Sequence, residues 1–588
     1  MIHARVAHGC LLAAALATTA ARAGGGPENL LLVVNPASAE SLAVANAYAA
    51  LRQVPPGNVL MLPWKDVAES VPIDRFRAEI LQPILRAIDA RRLSGQIDCV
   101  AYSAGFPWRV DFTAELPPEL AKQQLFKFPS GSLTGMTMLH AAVTSGGPNW
   151  LDPESNHYFR PPGDDGVPPS TVGFRGWYGW GGRGELMEMG GNRYLLAAML
   201  GVTAGRGNNV REVVAALRSA AAADGSRPPG TIYFMANSDV RTRARSGPFK
   251  GVAAAIEAAG VKAEILAGTL PARQDVAGLV TGTPDFDWAA GGGRLLPGAI
   301  CDNLTSFGGV FTPGAEQTPL SAFIRAGAAG ACGTVIEPYV MLPSGGGSSP
   351  GAFQPKFPHP AVQLHYVRGA SLAEAFYQAV RSPYQLLVVG DPLCQPWAVI
   401  PQVEVVNAAD SRPLDPDTPV SGRLELEPRA SLPEGSVADR FELFVDGTRV
   451  AQCGLGERLS LDTTPLADGH HELRVVAITA TDVETQGRRI VPVVVSNHGR
   501  TLALTVEPRR VGAADTVRVS LAGAGVESAI IYGMGRVLGR TAQGQATIEV
   551  PAELLGLGPV TIRATGRVGP NPDDAVNAAP VTIEVGPP

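Results

Sequence analysis

Apolar runs of two kinds divide the chain. In the first 400 residues they are short and continuous: NLLLVVN at 29–35, NVLML at 58–62, IDCVAYS at 97–103, TIYFMAN at 231–237, VKAEIL at 261–266, and stretches that close at Cys301, Glu337 and Asp391. The unbroken run at 29–35 predicts a strand covered on both faces, and the other segments are read as strands. Helical periodicities lie between them. Residues 39–52 put Leu42, Ala45, Ala49 and Arg52 on one stripe, and further helices are expected near 74–92, 211–223 and 248–259. The alternation predicts an α/β domain: a parallel sheet with right-handed crossovers and helices on both faces. Past Trp397 the period becomes two, as in RLELEP, RFELFVDG and HHELRVVAIT, and again from 501 in TLALTVEP, TVRVSLAG and PVTIRATG. Cut by turns such as DG, this predicts two immunoglobulin-like β-sandwiches.

The expected layout is a leader at 1–23, the α/β domain at 27–400 with a long loop insertion at about 128–192, and sandwiches at 401–500 and 501–588. Arg5, the apolar stretch Leu11 to Ala20 and Ala21-Arg22-Ala23 read as a secretory signal peptide. The mature chain is therefore expected in the periplasm, on the cell surface or outside the cell. No later stretch is apolar for long enough to predict an integral membrane span. The insertion is rich in Gly, Pro and Trp and lacks periodicity, as in a lid, a binding loop or a disordered segment. Its GWGGRG (179–184) matches a dinucleotide fingerprint but follows no expected strand, so it carries no nucleotide reading.

Apolar residues make up 45% and charged residues 17%, a globular balance. The net charge of −6 becomes −8 once Arg5 and Arg22 leave with the leader, and no basic block remains. That argues against a nucleic-acid partner. Five cysteines stay: Cys99, Cys301, Cys332, Cys394 and Cys453. An odd number leaves at least one thiol unpaired within the chain.

Ligands of open α/β sheets sit beyond the carboxyl ends of strands, so the strand ends are where chemistry is expected. Asp239 and Arg241, with Arg243 and Arg245 behind them, can bind a carboxylate or phosphate, or simply start a helix with local ion pairs. Thr283, Asp285 and Asp287 can hold a cation, orient a base or form turns. Cys301 closes a strand before a Gly-rich loop and is a nucleophile if a base lies in reach; otherwise it is a packing thiol. Asp302, Thr305 and Ser306 add polar groups there. Glu337 ends the next strand, and Lys356, His359 and His365 follow. His359 is the simplest base for Cys301. Acidic oxygens such as those of Asp285 and Asp302 leave room for Ca²⁺, and no other cofactor is expected.

This order of pieces resembles the gingipain-type cysteine peptidases of the caspase-like fold, whose catalytic domain precedes an immunoglobulin-like domain. The resemblance implies a His-Gly at one strand end and the nucleophilic Cys at the next. The Cys position falls at or next to Cys301, and the His position falls at Thr283, where this chain has Gly282-Thr283. A closer resemblance, carried by GFPWRVDF (105–112), YFMANSDVR, LTSFGG, GTVIEPY, KFPHP and PYQLLVVGDPLCQPW, is to a bacterial family of exported proteins; it implies the fold and brings no activity with it. The resulting expectation is an exported binding or scaffold protein for a peptide or protein ligand, with Asp239, Arg241, Thr283, Asp285, Asp302 and Glu337 as its binding set. The alternative is a cysteine hydrolase using Cys301 with His359 as a non-standard base. Oligomeric state is not set by the sequence.

Overall fold

The computed structural model describes residues 25–339, 354–571 and 574–587; the expected leader lies outside the described residues. β1 (Leu30–Val34) is buried along its whole length, as its unbroken apolar run requires. Ser38 starts α1 (Ala39–Arg52) by accepting the Ser41 N–H. The chain continues through β2 (Val59–Met61), β3 (Cys99–Tyr102), β4 (Leu196–Met199), α2 (Val210–Ala223), β5 (Thr231–Ala236), α3 (Val240–Arg245), α4 (Phe249–Ala258), β6 (Lys262–Ala267), β7 (Arg273–Thr281), β8 (Gly293–Asn303), α5 (Ser321–Arg325) and β9 (Gly330–Thr334). α6 (Val362–Val367), α7 (Leu372–Gln378) and β10 (Leu386–Gly390) complete the α/β unit.

These strands form one sheet in the order β6-β5-β7-β8-β9-β10-β4-β3-β1-β2. It repeats a single pattern. β2-β1-β3-β4 and β6-β5-β7-β8 each run second, first, third, fourth, and β9 and β10 lie between them. The sheet is parallel within each half, but β10 pairs antiparallel with β9, Thr334 opposite Leu386. This corrects the expectation of an all-parallel sheet. One crossover helix would have returned a parallel strand. Here α6 runs down and α7 runs back up, as the bond from the His359 N–H to the Ala379 carbonyl (2.7 Å) requires, so the chain re-enters at the opposite end. β4 was not foreseen, although it lies in the unbroken apolar run 194–200, directly after the aperiodic insertion.

The helix near 74–92 begins as α-helix, opens into wide turns over Phe76–Leu81 and closes again over Gln82–Ala90. Pro83 has no N–H to donate to Glu79, which fits the widened turns. The 128–192 insertion packs on itself. Tyr158, Phe174 and Trp180 are buried, with ring centroids 4.8 to 5.9 Å apart.

Two sandwich-like units follow, each with its own apolar core. Their inner strands are β11 (Ala438–Val445), β12 (Thr448–Gly454), β13 (Asp468–Thr479), β14 (Ser528–Gly533), β15 (Arg536–Thr541), β16 (Gly558–Arg567) and β17 (Ala575–Asn577). They join into one sheet across both units, because β13 pairs with β17 at Asp468↔Val576 and Gly469↔Asn577. The outer face of that sheet docks on the α/β unit. Arg474 meets Glu28 at 3.1 Å, Gln96 donates to the Gly447 carbonyl at 2.6 Å, and Asn46 donates to the carbonyls of Leu555 and Leu557.

Candidate ligand crevice at the strand ends

Cys301 lies inside β8, between Leu279 of β7 and Ala331 of β9, and is fully buried. Burial, then the charge of Asp302, pushes its thiol pKa well up, so the thiol is uncharged at neutral pH. Side chains alternate along a strand, so Cys301 and Asp302 project to opposite faces. The Asp302 carboxylate takes an ion pair from Arg245 and the Cys332 Sγ at 3.6 Å. Arg245 also donates to the Pro358 carbonyl, which puts His359 on the Asp302 face. His359 and the Cys301 thiol are therefore not brought together. Burial, then Arg245 and Arg381, lowers the His359 pKa to about 4, and its Nδ1 accepts the Ala361 N–H.

The other foreseen residues serve each other. Asp239 caps α3 through the Arg241 N–H and pairs with the Arg241 guanidinium at 3.3 Å. Thr283 donates its N–H to Asn303 Oδ1 at 3.0 Å, and Asn303 Nδ2 returns a bond to the Thr283 carbonyl. This two-bond clamp holds the ends of β7 and β8 together. Asp285 is exposed and lends its backbone carbonyl to the Thr283 hydroxyl. Glu337 accepts the Tyr339 N–H. Asp302 thus directs its oxygens to Arg245 and Cys332, and no group of three acidic, His or Cys side chains able to hold a metal exists among the described residues. Between β5 and β7, where strand order reverses, α3 lies flat on the gap. Thr242 donates its hydroxyl to the Gly282 carbonyl at 2.8 Å.

The equivalent reversal in the other half, between β1 and β3, is open. Ligands favour such points in doubly wound sheets. A crevice of about 610 Å³ lies there, bounded by the turn Asn35–Glu40, the strap Trp64–Glu69, Gly105 to Trp108 and Thr203. Asn35 shapes it. Its Oδ1 accepts the N–H groups of Ala37 and Trp64, and its Nδ2 donates to the carbonyls of Trp64 and Gly105, tying together the loops after β1, β2 and β3. Gly105 has φ +77°, and a Cβ there would stand 2.9 Å from the Ser38 Cβ, so the turn needs glycine.

The crevice floor is apolar and firm. Trp64, Phe106 and Trp108 are buried, and Phe311, from the loop after β8, packs edge-on to Trp108 at 5.6 Å. Its rim carries Glu40, Asp66 and Glu69 against Lys65 and Arg75, the latter paired with Asp66 at 3.0 Å over the Trp64 ring. The Ala68 N–H, then Arg75, hold the Asp66 carboxyl below its usual range, so it stays charged. On the same strap Val67 is 95% exposed, an apolar side chain left in water beside the opening. Sequence reading passed over these residues, although two signals were present. Asn35-Pro36 ends a strand, and GFPWRVDF was noted only as a motif.

No family model matches the chain, and no curated protein matches it. Solved structures similar to part of it include the fibronectin(III)-like modules of Clostridium thermocellum CbhA, at 14% identity over 32% of this chain and 94% of that one, TM-score 0.13. Another is the Bacteroides ovatus mixed-linkage glucan utilization locus SGBP-B in complex with mixed-linkage heptasaccharide, at 17% identity over 31% of this chain and 47% of that one, TM-score 0.17. A chimeric titin Z1Z2-Z1Z2 tandem has 15% identity over 32% of this chain and 92% of that one, TM-score 0.18. No role is carried over from them.

Proposed function

We propose that this chain is an exported binding protein on a caspase-like, gingipain-related scaffold without a working peptidase pair, followed by two immunoglobulin-like domains, and that it takes a peptide or protein segment in the β1/β3 crevice. The observation that carries the reading is the contrast between the two halves of the sheet. Where a gingipain-type peptidase would have its dyad, the strand ends are locked by the Thr283–Asn303 clamp and covered by α3, and the Cys301 thiol is buried. The open crevice lies in the other half. Its rim carboxylates and exposed Val67 favour a segment with a basic side chain next to an apolar one.

The test is retention of a diverse peptide mixture by the immobilised mature chain, read by mass spectrometry. Intact basic-apolar peptides are expected from the parent and from Cys301→Ala. Val67→Lys and Glu40→Lys should retain them about tenfold less well. No retention by the parent would overturn the reading. So would cleavage that Cys301→Ala abolishes, which would restore a cysteine hydrolase.

A further inference from the structure

We infer that a small organic anion binds in a second place, the cleft where the α/β unit and both sandwich-like units meet, with Arg563 as its anchor. Two adjoining cavities of about 300 and 290 Å³ share Pro56, Glu472, Tyr532 and Arg563. Pro56 comes from the α/β unit, Glu472 from the first sandwich-like unit, and the other two from the second. β16 sets Arg563 directly opposite Tyr532 of β14. Its strand neighbours Ile562 and Ala564 are in the core, so alternation turns Arg563 outward into the cleft.

The charges around Arg563 are matched to one another and leave it over. Glu472 binds Arg474 at 2.7 Å, and Arg474 also binds Glu28. Asp446 binds His471 at 2.6 Å. Burial, and then Arg563 itself, lowers the pKa of His470, which is therefore neutral at pH 7. Among the described residues the Arg563 side chain makes no hydrogen bond or ion pair, although its charge helps to lower the Asp446 pKa. A half-buried guanidinium facing a cavity at a domain junction is suited to a carboxylate or phosphate, which it can grip with two parallel bonds. Further donors stand ready. Asn577 uses its Oδ1 to accept from Thr565, which leaves its amide N–H₂ for a ligand, and Tyr532 lines both lobes. The size of the lobes fits a compact acid rather than a polymer.

Isothermal titration of the mature full chain with citrate, and separately with inorganic phosphate, tests this at matched ionic strength in chloride. One probe is expected to bind one to one. Arg563→Ala should weaken it at least tenfold, Arg563→Lys less, and Arg509→Ala, which removes an exposed charge elsewhere, not at all. The inference fails if neither probe binds, if Arg563→Ala binds like the parent, or if Arg509→Ala loses as much. Should Arg563→Ala not fold, Tyr532→Phe takes its place. A severalfold loss is expected from it, and unchanged affinity would equally refute the cleft.

Discussion

Cys301 and Asp302 are chain neighbours whose surroundings differ entirely, and the difference comes from which face of β8 each one takes. The thiol sits in apolar packing. The carboxylate, just as buried, is tolerable only because Arg245 meets it. Removing one partner of a buried pair leaves an uncompensated charge, which typically costs about 3–5 kcal/mol. Asp302→Ala is therefore expected to lower stability by about that much in urea unfolding. Asp302→Leu with Arg245→Met should cost far less, since replacing both partners is often nearly neutral. A single-variant loss below about 1 kcal/mol would contradict the pairing. That a polar residue ends the β8 run was legible, because a buried strand must surface somewhere. The face was not, since a one-residue change in register exchanges the two sides.

Among the elements, the strands and helices of the α/β unit follow the sequence periodicities closely, and α1 spans Ala39–Arg52 as its stripe requires. What periodicity does not carry is which strand ends stay open. That depends on how closely a following helix settles. α3 comes so near that a Cβ on Gly282 would lie 2.6 Å from the Thr242 backbone nitrogen and 2.8 Å from the Arg241 carbonyl carbon. Gly282→Ala must push α3 away, and overpacking of this kind costs about 1–3 kcal/mol. The expected result is a lower melting temperature together with faster amide exchange over residues 240–246 by hydrogen–deuterium mass spectrometry. Unchanged exchange there would show that the half closes by other means.

Across the whole molecule, the sandwich-like units are docked on the α/β unit by polar contacts as well as apolar ones, with Glu28 as the central clasp. Its fully buried carboxylate meets Arg474 and Arg488, each at 3.1 Å. Burial alone would raise its pKa, but Arg488 and Arg474 outweigh that and hold it below the usual range. An acid depressed in the folded state contributes stability that is present above its unfolded value of about 4.3 and is lost as pH falls through the folded value. Docking should therefore loosen in acid below about pH 4 and stay constant from pH 6 to 8 as far as Glu28 is concerned. Glu28→Gln keeps the shape and removes the charge that Arg474 and Arg488 share, leaving Arg474 with Glu472 as its remaining counter-ion. Scanning calorimetry of that variant at pH 7 is expected to show the parent's joint transition split, the sandwich-like pair melting apart from the α/β unit. The gap between parent and variant should narrow as the pH falls below about 4. A variant that melts like the parent at pH 7 would mean that Asn46, Gln96 and the apolar contacts hold the units together without Glu28. Such a contact, 446 residues apart in sequence, leaves no periodic trace; Glu28 reads in the chain only as an acid just before a strand.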